Sequence, residues 1–192
     1  MIFDEAFAHL GAIEGSYSNN PSDSGGETYR GIARKFWPGW SGWPLIDKYS
    51  AEPGFPETID DSVLEQSVKE FYRKNFWERN RLDDVAEISP KIAAEIFDTC
   101  VNTGVRGQFL QRALNVLNRS RRDYPDIKID GDIGPATLSA LRSFLAVRKK
   151  PEESERVMLT LLNCQQGMGY VELVERREKD ESFIYGWILQ RA

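Results

Sequence analysis

Glu14 is the residue whose type and position point most directly to chemistry. Phe3, Phe7 and Leu10 recur at spacings of four and three, which predicts the apolar stripe of one helix. At about 100° per residue, Glu14 falls within roughly 60° of that stripe. A carboxyl group on an apolar face resists ionisation and holds its proton toward neutral pH, as a general acid must. The spacing alone leaves a second role open, in which Glu14 turns to solvent or accepts hydrogen bonds from the loop at 16–20.

Short motifs follow Glu14 along the chain in a specific order. They are E-G-S-Y at 14–17, N-P-S-D-S-G-G-E-T at 20–28 and G-I at 31–32. Together they resemble the N-terminal signature of the glycoside hydrolase family 108 lysozymes, which is approximately E-G-G-Y, N-x-P-x-D-P-G-G-x-T and G-I-T. Other runs resemble the family's C-terminal peptidoglycan-associated region: V-N-T-G at 101–104, L-Q-R-A-L-N at 110–115, D-G-D-I-G-P-A-T at 130–137 and the closing stretch 183–191.

The chain departs from the family pattern at three positions. Ser16 replaces a glycine, Ser24 replaces a proline, and Ala33 stands where the family usually has a hydroxyl residue. The first two changes keep small residues in the loop. Ala33 loses a possible hydrogen bond, so a family role for a hydroxyl at that position does not carry over.

The resemblance implies an N-acetylmuramidase that cleaves the β-1,4 bond between N-acetylmuramic acid and N-acetylglucosamine, with Glu14 as the catalytic acid. It also implies a lysozyme-like helical bundle that binds peptidoglycan glycan strands. Two alternatives stay open. One is a lytic transglycosylase, in which a single glutamate carries out all proton transfers. The other is a non-catalytic cell-wall-binding or secretion-helper protein that keeps the fold without turnover.

Hydrolysis of a glycoside usually needs a second carboxylate, as a base for water or as a nucleophile. Asp23 is the first candidate because it matches the family's aspartate, although an aspartate beside serine and glycine is also a common turn residue. Glu27 is a weaker candidate and is better explained as a surface or structural contact. Thr28 is predicted to hold water or position a carboxylate, unless it caps a helix. Tyr17, in the same motif as Glu14, is predicted to contact substrate.

Aromatic and amide side chains farther along the chain are candidates for sugar contacts. Trp43 is predicted to offer a flat face to a sugar ring, although most aromatic residues near it are expected to pack their loop against the body. Asp98 and Asn102 lie four apart in a predicted helix and therefore share a face. A structural polar contact to the loop is favoured for this pair, with substrate contact as the alternative. The aromatic neighbours of Trp43 are Trp37, Trp40, Tyr49 and Phe55.

The elements that must position these residues are predicted to be mainly helical. The first helix is predicted over residues 1–14, ending at Gly15. Residues 16–56 are rich in glycine, proline and aromatics, which predicts a long structured loop. Asp60 or Asp61 is predicted to cap the helix that follows.

The second half of the chain continues the helical pattern. Ser89 is a predicted N-cap, with Pro90 at the first helical position. No alternating pattern of useful length predicts a strand, so the fold class is mainly α, with a long aromatic-rich loop region. Further helical stripes run through 109–117, 138–145, 152–168 and 170–190.

Composition limits the remaining possibilities. A chain of 192 residues with 41% hydrophobic and 29% charged residues suits one compact domain. We expect a lysozyme-like catalytic region at 1–100 and a helical peptidoglycan-associated region at 101–192, packed as one compact unit. The net charge of −5 disfavours general nucleic-acid binding. His9 is the only histidine, which disfavours a zinc amidase, so neither a metal nor a cofactor is expected.

The cysteines and the N-terminus bear on where the protein acts. Cys100 and Cys164 match neither a disulfide framework nor a metal-ligand spacing, and both are expected to be buried apolar side chains. No stretch approaches the roughly 20 apolar residues that span a bilayer, and the N-terminus lacks the pattern of a secretory signal. The expectation is therefore synthesis in the cytoplasm and release to the periplasm or cell wall through a holin or another exporter.

Overall fold

A computed structural model of the chain describes residues 2–10, 17–19, 25–56, 59, 61–148 and 150–191. The fold is mainly α-helical, as predicted. The α-helices are α1 (Ile2–His9), α2 (Trp43–Tyr49), α3 (Ser62–Tyr72), α4 (Leu82–Ala86), α5 (Pro90–Thr103), α6 (Gln108–Leu117), α7 (Pro135–Ala146), α8 (Pro151–Arg176) and α9 (Glu181–Arg191). The strands are β1 (Tyr17–Asn19), β2 (Glu27–Tyr29) and β3 (Ile32–Ala33). Shorter helical turns are the π-helical segment Arg73–Trp77 and the 3₁₀ turns Glu78–Asn80 and Glu178–Asp180.

The chain forms two compact units. The N-terminal unit is Phe7–Asn75, and the C-terminal unit combines Met1–Ala6 with Phe76–Ala192. These units are defined by packing, whereas the division predicted at residue 100 concerns catalysis and wall recognition, and it stays a prediction.

A small antiparallel sheet forms part of the segment predicted to be loop. β2 lies between β1 and β3, with Tyr17 opposite Tyr29 and Thr28 opposite Ala33. The sequence pattern did not predict these short strands. Strands of two or three residues are too short to show an alternating pattern, so only pairing with a neighbour reveals them.

Two predicted helix starts are confirmed by their capping bonds. The Ser89 hydroxyl accepts the backbone N–H of Ile92 at 3.1 Å, and Pro90 occupies the first turn of α5. Asp61 accepts the backbone N–H groups of Val63 at 2.7 Å and Leu64 at 3.1 Å at the start of α3. These bonds satisfy donors that the first turn of a helix cannot pair internally.

Two predicted helix ends were wrong. α1 ends at His9 rather than near residue 14. The sequence has glycine at positions 11 and 15, either of which is compatible with a helix end, and the prediction chose the second. α8 runs without a break to Arg176 through Gly167 and Gly169, where the sequence pattern suggested two helices.

The long helix α8 continues because of its packing. Its buried residues recur at every fourth position, so one line of side chains stays inside the C-terminal unit along the whole helix. Burying a large apolar side chain gains roughly 1.5–3 kcal/mol, which exceeds the roughly 1 kcal/mol that each helical glycine costs. The buried line is Ser154, Met158, Leu162, Gln166, Tyr170 and Val174.

Aromatic residues form the core of each unit. In the C-terminal unit, Phe3, Trp77 and Phe97 pack edge to face, with ring centroids 5.5–5.8 Å apart. In the N-terminal unit, Trp40 packs against Trp43 at 5.0 Å. Such pairs contribute stability beyond the area that they bury.

Candidate functional site

Two of the predicted catalytic residues, Glu14 and Asp23, lie outside the described residues. Three other candidate residues that are close to them in sequence are described, and they belong to the small sheet of the N-terminal unit. Tyr17 is in β1, while Glu27 and Thr28 are in β2. The sheet therefore holds the described part of the candidate site.

Glu27 lies at the centre of a polar cluster. The Tyr17 hydroxyl donates to Glu27 Oε1 at 3.1 Å, and Arg34 Nε lies 2.9 Å from Glu27 Oε2. Arg34 also reaches Asp47 on α2, with its Nη2 at 2.6 Å from Oδ1. The sheet thus brings Tyr17 and Glu27 together, and one arginine links them to α2.

The partners of Glu27 determine what it can do. Each of its carboxylate oxygens contacts one neighbour, Tyr17 by a hydrogen bond and Arg34 by an ion pair, and its side chain is 19% exposed. A base that must take a proton from water needs a free oxygen facing that water. Burial, followed by the hydrogen bond to Glu27, raises the pKa of the Tyr17 hydroxyl, so Tyr17 acts as a donor here. These contacts agree with the structural interpretation of Glu27 and leave its catalytic role a prediction.

Thr28 is placed in a strand, so the suggestion that it caps a helix was wrong. Its hydroxyl donates to the carbonyl oxygen of Gly26 at 3.2 Å. Gly26 has a positive φ of 63°, which glycine adopts without strain. Thr28 therefore steadies the turn that leads into β2, and its role in positioning water stays a prediction.

Trp43 is packed inside the N-terminal unit. It is only 3% exposed, its indole N–H donates to the carbonyl oxygen of Trp37 at 2.8 Å, and the Arg34 guanidinium lies 4.4 Å from its ring centroid. In this arrangement the ring offers almost no accessible face to a sugar. Its predicted substrate contact is untested, and its described contacts are those of a core residue.

Other aromatic rings of the same segment are more accessible. Phe36 is 63% exposed, and Trp37 is half-buried. Both line an open cavity of about 550 Å³ together with Phe71, Lys74 and Asn75. An exposed ring beside amide and charged groups is the combination on which a sugar can stack while its hydroxyls are hydrogen-bonded.

Asp98 and Asn102 share a face of α5, as predicted. Asn102 Nδ2 donates to both the carbonyl oxygen and Oδ1 of Asp98, at 2.9 Å each. Asp98 Oδ2 accepts from Gln166 Nε2 of α8 at 3.1 Å. The pair therefore has a structural polar contact, with Gln166 of α8 as a partner, and the predicted contact to the loop stays a prediction.

Polar side chains extend this contact along α5 and α8. Gln166 is 1% exposed, yet it accepts from the Thr99 hydroxyl at 2.9 Å and donates to the Tyr170 hydroxyl at 2.9 Å. Nearer the start of α5, the Ser89 hydroxyl donates to Glu155 Oε1 at 2.7 Å. Buried polar groups must be paired in this way, because leaving one unpaired costs about 1–3 kcal/mol.

Glu95 is the titratable residue that sequence reasoning missed. Burial raises its pKa to about 7, the nearby Asp98 carboxylate acts in the same direction, and a hydrogen bond with Asn163 opposes them. A signal was present, because residues 95, 98 and 102 on α5 and 163, 166 and 170 on α8 repeat at helical spacings. Both sets are polar, which indicates two helix faces that meet each other.

The fold and the site are typical of proteins that act on carbohydrates. The chain is a mainly α-helical protein whose N-terminal unit places carboxylates, an arginine and exposed aromatic rings around a small sheet and an open cavity. Carboxylates and aromatic rings are the side chains with which proteins bind and cleave carbohydrates.

Comparison with protein families identifies the chain more closely. The glycosyl hydrolase 108 family matches residues 7–104, and the family described as a predicted peptidoglycan domain matches residues 106–192. The chain belongs to the glycosyl hydrolase 108 family, and it is a peptidoglycan hydrolase with a peptidoglycan-binding region. A search of curated proteins found no matching relative. Among the described residues, no helix is long and apolar enough to cross a bilayer.

Proposed function

We propose that the protein is an N-acetylmuramidase in which Glu14 protonates the glycosidic oxygen between N-acetylmuramic acid and N-acetylglucosamine. The observation that carries the proposal is the family match over residues 7–104, which includes Glu14 within the motif E-G-S-Y. Because α1 ends at His9, a continuous helical stripe no longer supports the assignment of Glu14 as the acid. The proposal therefore rests on the motif and the family.

The reaction needs two groups on opposite sides of the scissile bond. Glu14 donates a proton to the departing sugar oxygen as the bond to the anomeric carbon breaks. A second carboxylate either removes a proton from the attacking water or attacks the anomeric carbon itself. Asp23 is proposed for this role because it matches the family's aspartate, whereas the contacts of Glu27 with Tyr17 and Arg34 suit a structural role.

The contacts of Tyr17, which belongs to the same motif as Glu14, also support the proposal. Tyr17 is fixed by its bond to Glu27 and packs edge to face on Phe55, with ring centroids 4.5 Å apart. β1 begins at Tyr17, three residues after Glu14 in the sequence. We propose that residues 1–100 carry the reaction and that residues 101–192 recognise the cell wall.

The test compares wild type with Glu14→Gln on purified peptidoglycan. We expect the variant to lose nearly all release of muropeptides, because glutamine cannot donate the proton. Glu52→Gln is the matched control, since it removes an exposed carboxylate of the same unit and should keep wild-type activity. Thermal unfolding of each variant separates lost chemistry from lost folding.

The products distinguish the alternatives. Hydrated reducing ends on N-acetylmuramic acid agree with a muramidase, whereas 1,6-anhydro ends indicate a lytic transglycosylase. Biological activity that survives Glu14→Gln would favour a non-catalytic wall-binding or secretion-helper protein.

The second carboxylate is tested in the same assay. We expect Asp23→Asn to lower kcat by at least about 100-fold, as loss of an acid–base group does. Glu27→Gln should lower kcat by less than about tenfold, because its contacts position β2 rather than react. The reverse order of effects would transfer the role to Glu27.

Delivery to the wall is a separate proposal. We propose that a holin or another exporter releases the protein from the cytoplasm to the periplasm or cell wall. Cell fractionation with and without such a factor tests this, and secretion of the protein by itself would contradict it.

A further inference from the structure

A second cavity lies wholly within the C-terminal unit. It has a volume of about 610 Å³ and is formed by the end of α5, the start of α6 and the second half of α8. We call it the α6–α8 pocket. Phe109, Leu161 and Leu173 supply much of its apolar lining, together with Met168, which is 55% exposed. This lining suits small alkyl groups such as methyls.

Three arginines give the α6–α8 pocket its charge. Arg112 belongs to α6, Arg176 ends α8, and Arg177 follows it. Across the described part of the chain, none of the three forms an ion pair with a carboxylate. Arg176 Nε instead donates to the carbonyl oxygen of Glu172 at 2.8 Å. Glu172 is the one acidic residue in the described lining, so positive charge is in excess.

Other arginines of the C-terminal unit form ion pairs with carboxylates. Arg106 pairs with Asp132 at 3.1 Å, and Arg121 pairs with Asp126 at 2.6 Å. Guanidinium groups that border a cavity without a carboxylate partner can each form two parallel hydrogen bonds to an incoming carboxylate.

The wall of the pocket also holds an unpaired acceptor. Gln165 Nε2 donates to the carbonyl oxygens of Phe109 at 3.0 Å and Leu161 at 3.2 Å. Its Oε1 is buried and has no partner among the described residues. Because this atom has almost no accessible surface, it is a cost within the fold and offers no contact to a ligand. The pocket therefore combines an apolar lining with excess positive charge.

We propose that the α6–α8 pocket binds the peptide stem of peptidoglycan and not its sugar chain. A stem peptide carries methyl side chains and several free carboxylates, which match the apolar lining and the excess positive charge of the pocket. The sugars offer mainly hydroxyl and acetamido groups, and these gain less from unpaired guanidinium groups than a carboxylate does. The inference rests on the proposed function, because it takes peptidoglycan as the substrate.

The two cysteines provide a direct binding assay. Cys164 is exposed and lines the pocket, whereas Cys100 is buried. Burial raises the pKa of the Cys100 thiol to about 12, so a maleimide at pH 7 should label Cys164 alone. The probe is the soluble tripeptide L-Ala-γ-D-Glu-meso-diaminopimelate, added to the full-length protein. We expect it to slow Cys164 labelling in a saturable manner, and calorimetry with the same tripeptide measures its Kd.

Charge variants test whether the arginines bind the carboxylates. The double variant Arg112→Gln and Arg177→Gln should weaken tripeptide binding by at least about tenfold, the effect of losing charge-assisted hydrogen bonds. Arg156→Gln is the matched control, because Arg156 is an exposed arginine of α8 outside the pocket lining. It should bind the tripeptide as wild type does.

Several results would overturn the proposal. One is no binding of the tripeptide by calorimetry. Others are equal protection of Cys164 by a β-1,4-linked N-acetylglucosamine tetramer or by inorganic phosphate at the same concentration. An unchanged Kd in the double variant would also overturn it.

The outcome is independent of the proposed catalytic activity. The tripeptide has no glycosidic bond, so Glu14→Gln should bind it with wild-type affinity. A protein that binds the tripeptide but releases no muropeptides would contradict only the proposed function. A protein that releases muropeptides but does not bind the tripeptide would contradict only this inference.

Discussion

Replacing Glu95 with glutamine should make the stability of the protein less dependent on pH. Glu95 lies between α5 and α8, where burial and the Asp98 carboxylate raise its pKa to about 7. The ordinary pKa of 4.5 applies in the unfolded chain. The folded protein therefore binds this proton more tightly than the unfolded chain does. Its stabilising effect is complete below pH 4.5 and is lost as the pH rises through about 7.

The magnitude follows from the two pKa values. Each pKa unit corresponds to about 1.4 kcal/mol, so moving from pH 5 to pH 8 removes about 2–3 kcal/mol through this group. For a chain of this size, that loss corresponds to a Tm change of roughly 5–10 °C. Glutamine has the same shape and stays neutral, so Glu95→Gln should avoid the loss.

The assay is thermal unfolding of wild type and Glu95→Gln at pH 5 and pH 8. We expect the Tm of the variant, relative to wild type, to be higher at pH 8 than at pH 5 by roughly 5–10 °C. Glu175→Gln is the control, since it removes an exposed carboxylate of α8 and should show no such difference. If Glu95→Gln changed the Tm by the same amount at both pH values, the assignment of a raised pKa to Glu95 would be refuted.

Three further predictions concern stability and thiol reactivity. Ser89→Ala removes the N-cap of α5 and a hydrogen bond to Glu155, so thermal or urea unfolding should show a loss of about 1–3 kcal/mol; no loss would mean that the cap contributes nothing. Gly131→Ala should lower stability by at least about 1–3 kcal/mol, because φ is +84° and a Cβ would lie 2.6 Å from a glutamine side chain; a wild-type Tm would contradict this. A thiol reagent should modify Cys164 of the native protein within minutes, whereas Cys100 should react only after denaturation. Mass spectrometry of peptides measures both, and labelling of Cys100 in the native protein would contradict its burial.

The two cysteines show that residue type alone does not predict burial. Both were expected to be buried, which is correct for Cys100 and wrong for Cys164. Cysteine is often buried, but whether a given helix position faces the core depends on the helices that pack around it. A residue type alone does not carry that information.

Local signals in the sequence were sufficient for much of the fold. The mainly α class and the helix starts at Asp61 and Ser89 were predicted, because a cap is a contact between residues two or three apart. The family was also recognised from ordered motifs: the glycosyl hydrolase 108 family matches residues 7–104, and the predicted peptidoglycan domain matches residues 106–192. Glu14 was found in the same way, and its role remains a prediction.

Tertiary structure alone decided the features that depend on distant residues. These include the three-stranded sheet, the unbroken course of α8 and the packing of Trp43. The raised pKa of Glu95 belongs with them, because its cause is burial where α5 meets α8, and these helices are distant from each other in sequence. Short-range patterns determine which segments become helices and where they start. Burial, charge environment and cavity lining are set by contacts across the fold; local spacing can indicate that two polar helix faces meet, but it does not specify how deeply their residues are buried.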